Sequence, residues 1–270
     1  MGKEECMKHL FKDWRNIRER IQQAPNLFLF LDYDGTLVPI TSRPERALCP
    51  SEVKTLLGKL RESPNVMLAI VSGRSLEDIR ERVGVPGITY VGNHGLDLQN
   101  SLGKQIRMRS ARRQKELCKI GRDLKISLGE IPGIIFEDKG SLLAVHYRNV
   151  AQENFGRIQK VLGEIEKKSQ DRWKIAEGKK VFEIQPKVNF NKGEAVKKLF
   201  KNAPRGTLPI YLGDDRTDED AFRGLQGRGI NIFVGSVGFP SAVDYYLKSP
   251  REVGQFLRRC EQILKVPTIS

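Results

Sequence analysis

The chain has 270 residues, a formal net charge of +14, 39% hydrophobic and 30% charged residues. That length fits one large or two modest domains, and the apolar share is enough for a core and too much for a disordered chain. No run of about 18 apolar residues occurs, the stretch from Met1 to Asn26 has no apolar signal region, and Cys6, Cys49, Cys118 and Cys260 form no CxxC pair. A membrane span, a secretory signal, a zinc ribbon and a thioredoxin-type centre are therefore not expected; reduced thiols in a cytoplasm are.

In chain order, Met7, Leu10, Phe11, Trp14, Ile17 and Ile21 fall on one helical stripe, which ends before Pro25 because proline resists continuing a helix. Leu27–Leu31 is apolar at every position, as is Val66–Val71; Ile88–Val91, Pro209–Leu212 and Ile230–Val234 are similar runs. Such runs suit strands buried on both faces. Helical patterns over 53–60, 76–83, 195–200 and 219–225 separate most of them, and this alternation implies a parallel, helix-covered sheet. From about Leu98 to Ile184 the rhythm breaks. Helix, strand (134–136), turn (138–140), strand (142–147), helix (155–165) and strands near 173–176 and 180–184 suggest a four-stranded antiparallel sheet with two helices, inserted between the third and fourth core strands.

The positive charge is concentrated between Lys104 and Lys125, where nine Lys or Arg stand against Glu116 and Asp123. Leu117, Ile120, Leu124, Leu128 and Ile131 keep helical spacing there, so an amphipathic helix over 111–130 with a basic, solvated outer face is expected. No RNP aromatic pattern or zinc-finger spacing accompanies it. A protein that uses this helix to bind nucleic acid is the alternative from another functional class, and nucleic acid is not the expected partner; nor is a membrane.

The residues after the strands carry the chemistry. They read Asp32-Tyr33-Asp34-Gly35-Thr36, Ser72-Gly73-Arg74, Gly92-Asn93-His94-Gly95 and Gly213-Asp214-Asp215. In an open parallel sheet, ligands bind beyond the carboxyl ends of the strands. The period of 2 points Asp32 and Asp34 the same way, and Asp214 from another strand end would complete a dense negative site. Carboxylates so placed repel unless a hard cation joins them, and Mg²⁺ favours a few carboxylates, waters and a phosphate. Ser75 to Asp78 reads as a capping box opening a helix, so Ser72 lies near an anion-binding helix start. Lys192, at the start of another helix, suits phosphate oxygens. His9 and His146 read as structural.

These segments resemble the four motifs of the haloacid-dehalogenase-type phosphatases. The likeness extends to the trehalose-6-phosphate phosphatases through Asp32–Val38, Val71–Arg74, Gly92–Leu98, Glu137–Arg148, Gly178–Pro186, Asn191–Val196 and Tyr211–Phe222. Asp97 stands where that family usually has Glu. The resemblance implies an α/β fold: a Rossmann-like parallel-sheet core (1–97 and 185–270) with an inserted α+β cap domain (98–184) that recognises substrate. It implies Mg²⁺-dependent hydrolysis of a small-molecule sugar phosphate, trehalose 6-phosphate, in the cytoplasm. A related sugar phosphatase, acting on mannosyl-3-phosphoglycerate or sucrose 6-phosphate, is the nearest alternative. By the same resemblance Asp32 is the nucleophile and Asp34 the acid and base. Ser72 and Lys192 hold phosphate oxygens. The metal sits on Asp32, the Asp34 backbone carbonyl and Asp214, with Asp215 and Asp218 orienting Lys192 and metal-bound waters. Asn93, His94, Glu137, Lys139, Arg148, Lys179 and Glu183 are the implied substrate contacts.

Overall fold

A computed structural model of the chain describes residues 7–41, 44–107, 111–169, 172–178, 180–187, 191–235 and 242–265. In chain order its elements are β1 (Lys8–His9), α1 (Trp14–Gln23), β2 (Asn26–Asp32), α2 (Ser51–Glu62), β3 (Val66–Val71), α3 (Leu76–Val83), β4 (Thr89–Gly92), β5 (Asp97–Gln99) and β6 (Gln105–Arg107). Then come α4 (Ala111–Leu128), β7 (Ile135–Asp138), β8 (Leu143–His146), α5 (Phe155–Lys168), β9 (Trp173–Gly178) and β10 (Val181–Pro186). The chain ends with α6 (Lys192–Lys201), β11 (Thr207–Gly213), α7 (Glu219–Leu225), β12 (Ile230–Val234), β13 (Tyr245–Leu247) and α8 (Pro250–Lys265). They fall into two compact units, Met1–Ile106 with Phe190–Ser270, and Arg107–Asn189.

The first unit is built on a nine-stranded sheet in the order β1-β13-β12-β11-β2-β3-β4-β5-β6. Along that order its strands from β1 to β4 pair in parallel, and β5 pairs with β4 in the antiparallel sense. Period 2 explains why β2 is apolar throughout. Leu27, Leu29 and Leu31 enter one core with α1, α2, α3 and α8, while Phe28 and Phe30 enter a second core with α6 and α7. Helices therefore cover both faces, and the sheet's functional edge is left at its strand ends.

Three local expectations change. The N-terminal stripe is not one helix: Met7 precedes β1, residues 10–13 form a 3-10 turn, and α1 starts only at Trp14. Pairing of Lys8 and His9 with Tyr245 and Tyr246 outweighs helical spacing there. The stretch after β4 does not leave the core sheet at once, because β5 and β6 extend it as short edge strands, too short and polar to show a period. The Ser75 cap is half a box. Its hydroxyl accepts from the Asp78 backbone N–H (3.1 Å), but the Asp78 carboxylate is held by Arg74 and Arg82 instead of reaching back.

The second unit is a four-stranded antiparallel sheet, order β7-β8-β10-β9, with α4 and α5 on one face. Leu117, Leu124 and Leu128 of α4 and Ile158 and Leu162 of α5 bury against Val145, Phe182 and Ile184. The opposite side of α4 carries Lys115, Lys119, Arg122 and Lys125, all exposed. No described helix is long and apolar enough to cross a membrane.

Candidate active site

β11, β2, β3 and β4 are neighbours in the sheet, so their carboxyl ends bring four polar segments side by side. Asp32 closes β2 and Ser72 follows β3; Asn93 follows β4 and Asp214 follows β11. Lys192 is the first residue of α6. That helix starts there because the Asn191 side chain accepts the Glu194 N–H (2.9 Å) and donates to Asp220 Oδ2 (2.6 Å). Gly193 permits the approach: a Cβ there would overlap the Asp220 carbonyl. The result is that Lys192 Nζ donates to Asp32 Oδ1 and Asp218 Oδ1, at 2.8 Å each, with all three side chains buried.

The aspartates of the site differ in what they are offered. Asp218, 0% exposed, accepts from Lys192 Nζ, the Tyr211 hydroxyl (2.6 Å), the Asp214 N–H (3.1 Å) and the Asp215 N–H (3.2 Å). Both its oxygens are fully used. Asp215, exposed to solvent, accepts from the N–H and hydroxyl of Thr217 at 2.8 and 2.7 Å; against partial desolvation, the Lys192 charge and then these bonds hold its carboxyl low. Asp214 receives no backbone or basic donor among the described residues. Burial and the charges of Asp215 and Asp218 push its carboxyl up to about 7. Asp32 is raised as well, by burial first, against the pull of Lys192 and with the push of Asp218 and Asp214. Burial favours a neutral Lys192, but the charges of Asp218 and Asp32 outweigh it and hold the ammonium protonated.

Oxygens of Asp32, Asp214 and Asp218 lie within 4.8 Å of one another, an arrangement that can hold a metal ion. Since Asp218 is already saturated, Asp32 and Asp214 are the under-satisfied members, and their raised carboxyls are what a cation would relieve. Gly35, at φ +86°, leaves room for Asp214, whose carboxylate a Cβ would overlap.

Asp34 departs from the expected geometry. β2 ends at Asp32, so the period of 2 does not carry on, and the Asp34 carboxylate is gripped by Arg74 through Nε–Oδ2 (2.6 Å) and Nη2–Oδ1 (2.7 Å). Arg74, which the Ser-Gly-Arg signal contained without a role, is the residue missed. Tyr211 is another, since an aromatic in an apolar strand reads as core. Ser72 is buried, and its oxygen accepts the Arg74 N–H (3.1 Å). Asn93 and His94 both adopt left-handed backbone (φ 50° and 54°), an uncommon cost for residues with side chains. Their N–H groups donate to Arg74 O (2.7 Å) and Ser72 O (3.1 Å), tying the two loops. Buried Asn93 also donates to Asp97 Oδ2 (2.6 Å), and the His94 ring lies where a Cβ on Gly73 would go.

In the second unit, Glu137 of β7 and Glu183 of β10 both stand opposite Ala144 of β8, on the face away from the buried Val145 and Phe182 and the partly buried Phe136. Lys139 Nζ donates to Glu183 Oε1 (2.9 Å) and Gln185 to Glu183 Oε2 (2.7 Å), while His146 pairs with Glu137 (2.8 Å). Arg148 is exposed beyond β8. Lys179 lies outside the described residues.

The trehalose-phosphatase family model matches residues 30–250. "Probable trehalose-phosphate phosphatase D" of Arabidopsis thaliana is 34% identical over 257 residues, covering 88% of this chain and 68% of that protein. "Trehalose-phosphate phosphatase" of Mycobacterium bovis (strain BCG / Pasteur 1173P2) is 33% identical over 246 residues, covering 88% and 62%. The fold is that of the C. albicans trehalose-6-phosphate phosphatase C-terminal domain, with a TM-score of 0.75 at 22% identity over 95% of this chain and 98% of that one. With a match that spans the core strand ends and the whole inserted unit, the chain belongs to the trehalose-phosphatase family of phosphoric monoester hydrolases.

Proposed function

We propose that this chain hydrolyses trehalose 6-phosphate to trehalose and phosphate at the β2–β11 strand ends, with Asp32 as nucleophile. The observation that carries it is the buried Lys192 between Asp32 and Asp218, beside the under-satisfied Asp214. A nucleophilic carboxylate must stay ionised in a dry site, and Lys192 serves that end. Mg²⁺ held by Asp32, Asp214 and the Asp34 backbone carbonyl would supply charge neutralisation at the phosphate.

Asp32 attacks phosphorus in line; the bond from phosphorus to the sugar oxygen breaks, and Asp34 gives that oxygen its proton. Water then attacks the phosphoryl-aspartate, Asp34 takes up its proton, and the bond between phosphorus and Asp32 breaks. Ser72 accepts the Arg74 N–H and keeps its own hydroxyl proton to donate to a phosphate oxygen. Lys192 supplies the cation opposite, held by Asp218 and by the Asp215 charge. We assign sugar recognition to the inserted unit through Glu137, Lys139, Arg148, Lys179 and Glu183, with Asn93 and His94 from the core. Two carboxylates flanking the small Ala144, two strand spacings or about 10 Å apart, suit a hydroxyl-rich ring lying between them.

Phosphate release over a panel tests the reading. Trehalose 6-phosphate should outpace sucrose 6-phosphate and mannosyl-3-phosphoglycerate by at least about a hundredfold in kcat/KM, as lost polar contacts in a hydroxyl-binding site predict. EDTA should silence the protein and Mg²⁺ restore it. Equal rates on the three sugars would assign the sugar wrongly, and activity surviving exhaustive chelation would remove the metal.

A further inference from the structure

We propose that Arg74 is a positioning residue for the departure of the sugar oxygen, acting through Asp34, and that Asp78 and Arg82 hold Arg74 in place for that task. The proposal rests on the assignment of Asp34 as the proton donor made above. Asp34 lies past the end of β2 with its side chain 39% exposed, so nothing in the strand fixes its carboxylate plane. Arg74 does. Its Nε and Nη2 take both oxygens at 2.6 and 2.7 Å, a forked pairing that sets orientation as well as distance.

Arg74 has no freedom of its own. Its third nitrogen, Nη1, donates to Asp78 Oδ2 (2.9 Å), its guanidinium lies over the Tyr33 ring (5.6 Å), and its side chain is only 13% exposed. Asp78 in turn accepts Arg82 Nε on both oxygens at 2.8 Å. Arg82 Nη1 then donates to the Ala47 carbonyl (3.1 Å), which also accepts the Tyr33 hydroxyl (2.7 Å). The chain from Asp34 to Ala47 is thus closed back onto the residue beside Asp34. The forked grip on Asp34 and the third contact on Asp78 fix the direction of the Asp34 carboxylate, which charge balance alone would not require. A lysine could match the charge here but not the fork.

The test uses two leaving groups. The alkoxide of trehalose 6-phosphate needs a proton to depart, whereas p-nitrophenolate leaves without one, and kcat/KM reports the steps through that departure. The readout is the ratio of kcat/KM on trehalose 6-phosphate to kcat/KM on p-nitrophenyl phosphate. Taken on one preparation, it is independent of the fraction of protein folded. Asp34→Asn should lower the ratio by about 100-fold or more, the usual scale of proton-transfer catalysis. Arg74→Lys should lower it at least about tenfold and Asp78→Asn about threefold, as misplacement of the donor does by degrees. In Arg74→Lys, adding Asp78→Asn should cost little more, since both act through one carboxylate. A ratio held within twofold in Arg74→Lys while Asp34→Asn collapses it would overturn the proposal and leave the role of Asp34 standing. A ratio unmoved by Asp34→Asn would remove that role, and the proposal with it.

Discussion

Asp214 and Asp218 are four residues apart at one strand end, and replacing either by Asn should change stability in opposite directions. In protein stripped of metal at pH 8, the Asp214 carboxylate has no donor beyond its Asp32 neighbour, and its carboxyl is raised from 3.8 to about 7 by burial and by Asp215 and Asp218. A folded-state value above the unfolded one means that the folded chain binds more protons between the two. Stability therefore falls as pH rises through that window, and the penalty is complete above it. At about 1.4 kcal/mol per unit, reduced for partial exposure, Asp214→Asn should stabilise the metal-free protein by about 2 kcal/mol at pH 8 and by almost nothing at pH 4. Burial first, and then the Asp215 charge, raise the Asp218 carboxyl too, against the pull of Lys192, but here Lys192, Tyr211 and two backbone N–H groups donate to the ionised form. An amide there must turn its NH₂ toward donors on one side, so Asp218→Asn should cost about 3–5 kcal/mol at pH 8. Urea unfolding followed by circular dichroism measures both. Saturating Mg²⁺ should then stabilise the parent and do little for Asp214→Asn. If Asp214→Asn destabilises the stripped protein as much as Asp218→Asn does, the charge argument for the metal site is wrong.

Asp32→Asn should leave less than about a thousandth of the parent turnover, since loss of a covalent nucleophile costs several orders of magnitude; phosphate release above a tenth of the parent rate would contradict this. Replacing Glu137, Lys139 and Glu183 together by Ala removes both partners of the partly buried Lys139–Glu183 pair and orphans neither. Hydrolysis of trehalose 6-phosphate should fall at least about a hundredfold, with p-nitrophenyl phosphate little affected; equal losses on both would mean that the three serve folding. Reversing the exposed charges of α4 at Lys115, Lys119, Arg122 and Lys125 should leave kcat near the parent value, and a large fall at saturating substrate in folded protein would show that this face does more than meet water.

The strand ends were legible because their chemistry is written in short, rigid stretches. An all-apolar run followed at once by Asp-x-Asp or Gly-Asp-Asp places its first acidic residue by strand geometry alone, and Asp32 and Asp214 do come together there, with Lys192 on Asp32. Where the strand stops, the inference stops: Asp34 sits two residues past the end of β2, and its direction is decided by Arg74, which is 40 positions away. The part played by Tyr211 was hidden for the same reason, since the carboxylate it serves comes from a later turn. The short strands β1, β5 and β6 escaped because two or three residues show no period, and only their partners in the sheet define them. In the inserted unit the two strands and the turn between them were readable, whereas the pairing of Lys139 with Glu183 across 44 residues was not.

The charge balance of the site also explains a feature of the whole chain. Asp32, Asp214, Asp215 and Asp218 against Lys192 leave the strand ends at −3 when all are ionised, four negative charges less one positive, in a protein of net charge +14. The two signs answer different demands. A dianionic phosphate ester must be drawn in from solution, and the long-range field of a cationic molecule does that. At contact, the same ester meets carboxylates that would repel it, and on the reading proposed above a divalent cation held by Asp32 and Asp214 would supply the charge that makes the meeting favourable. On that reading the acidic site would be selective as well as reactive: without the cation it would repel the ester that the rest of the surface attracts.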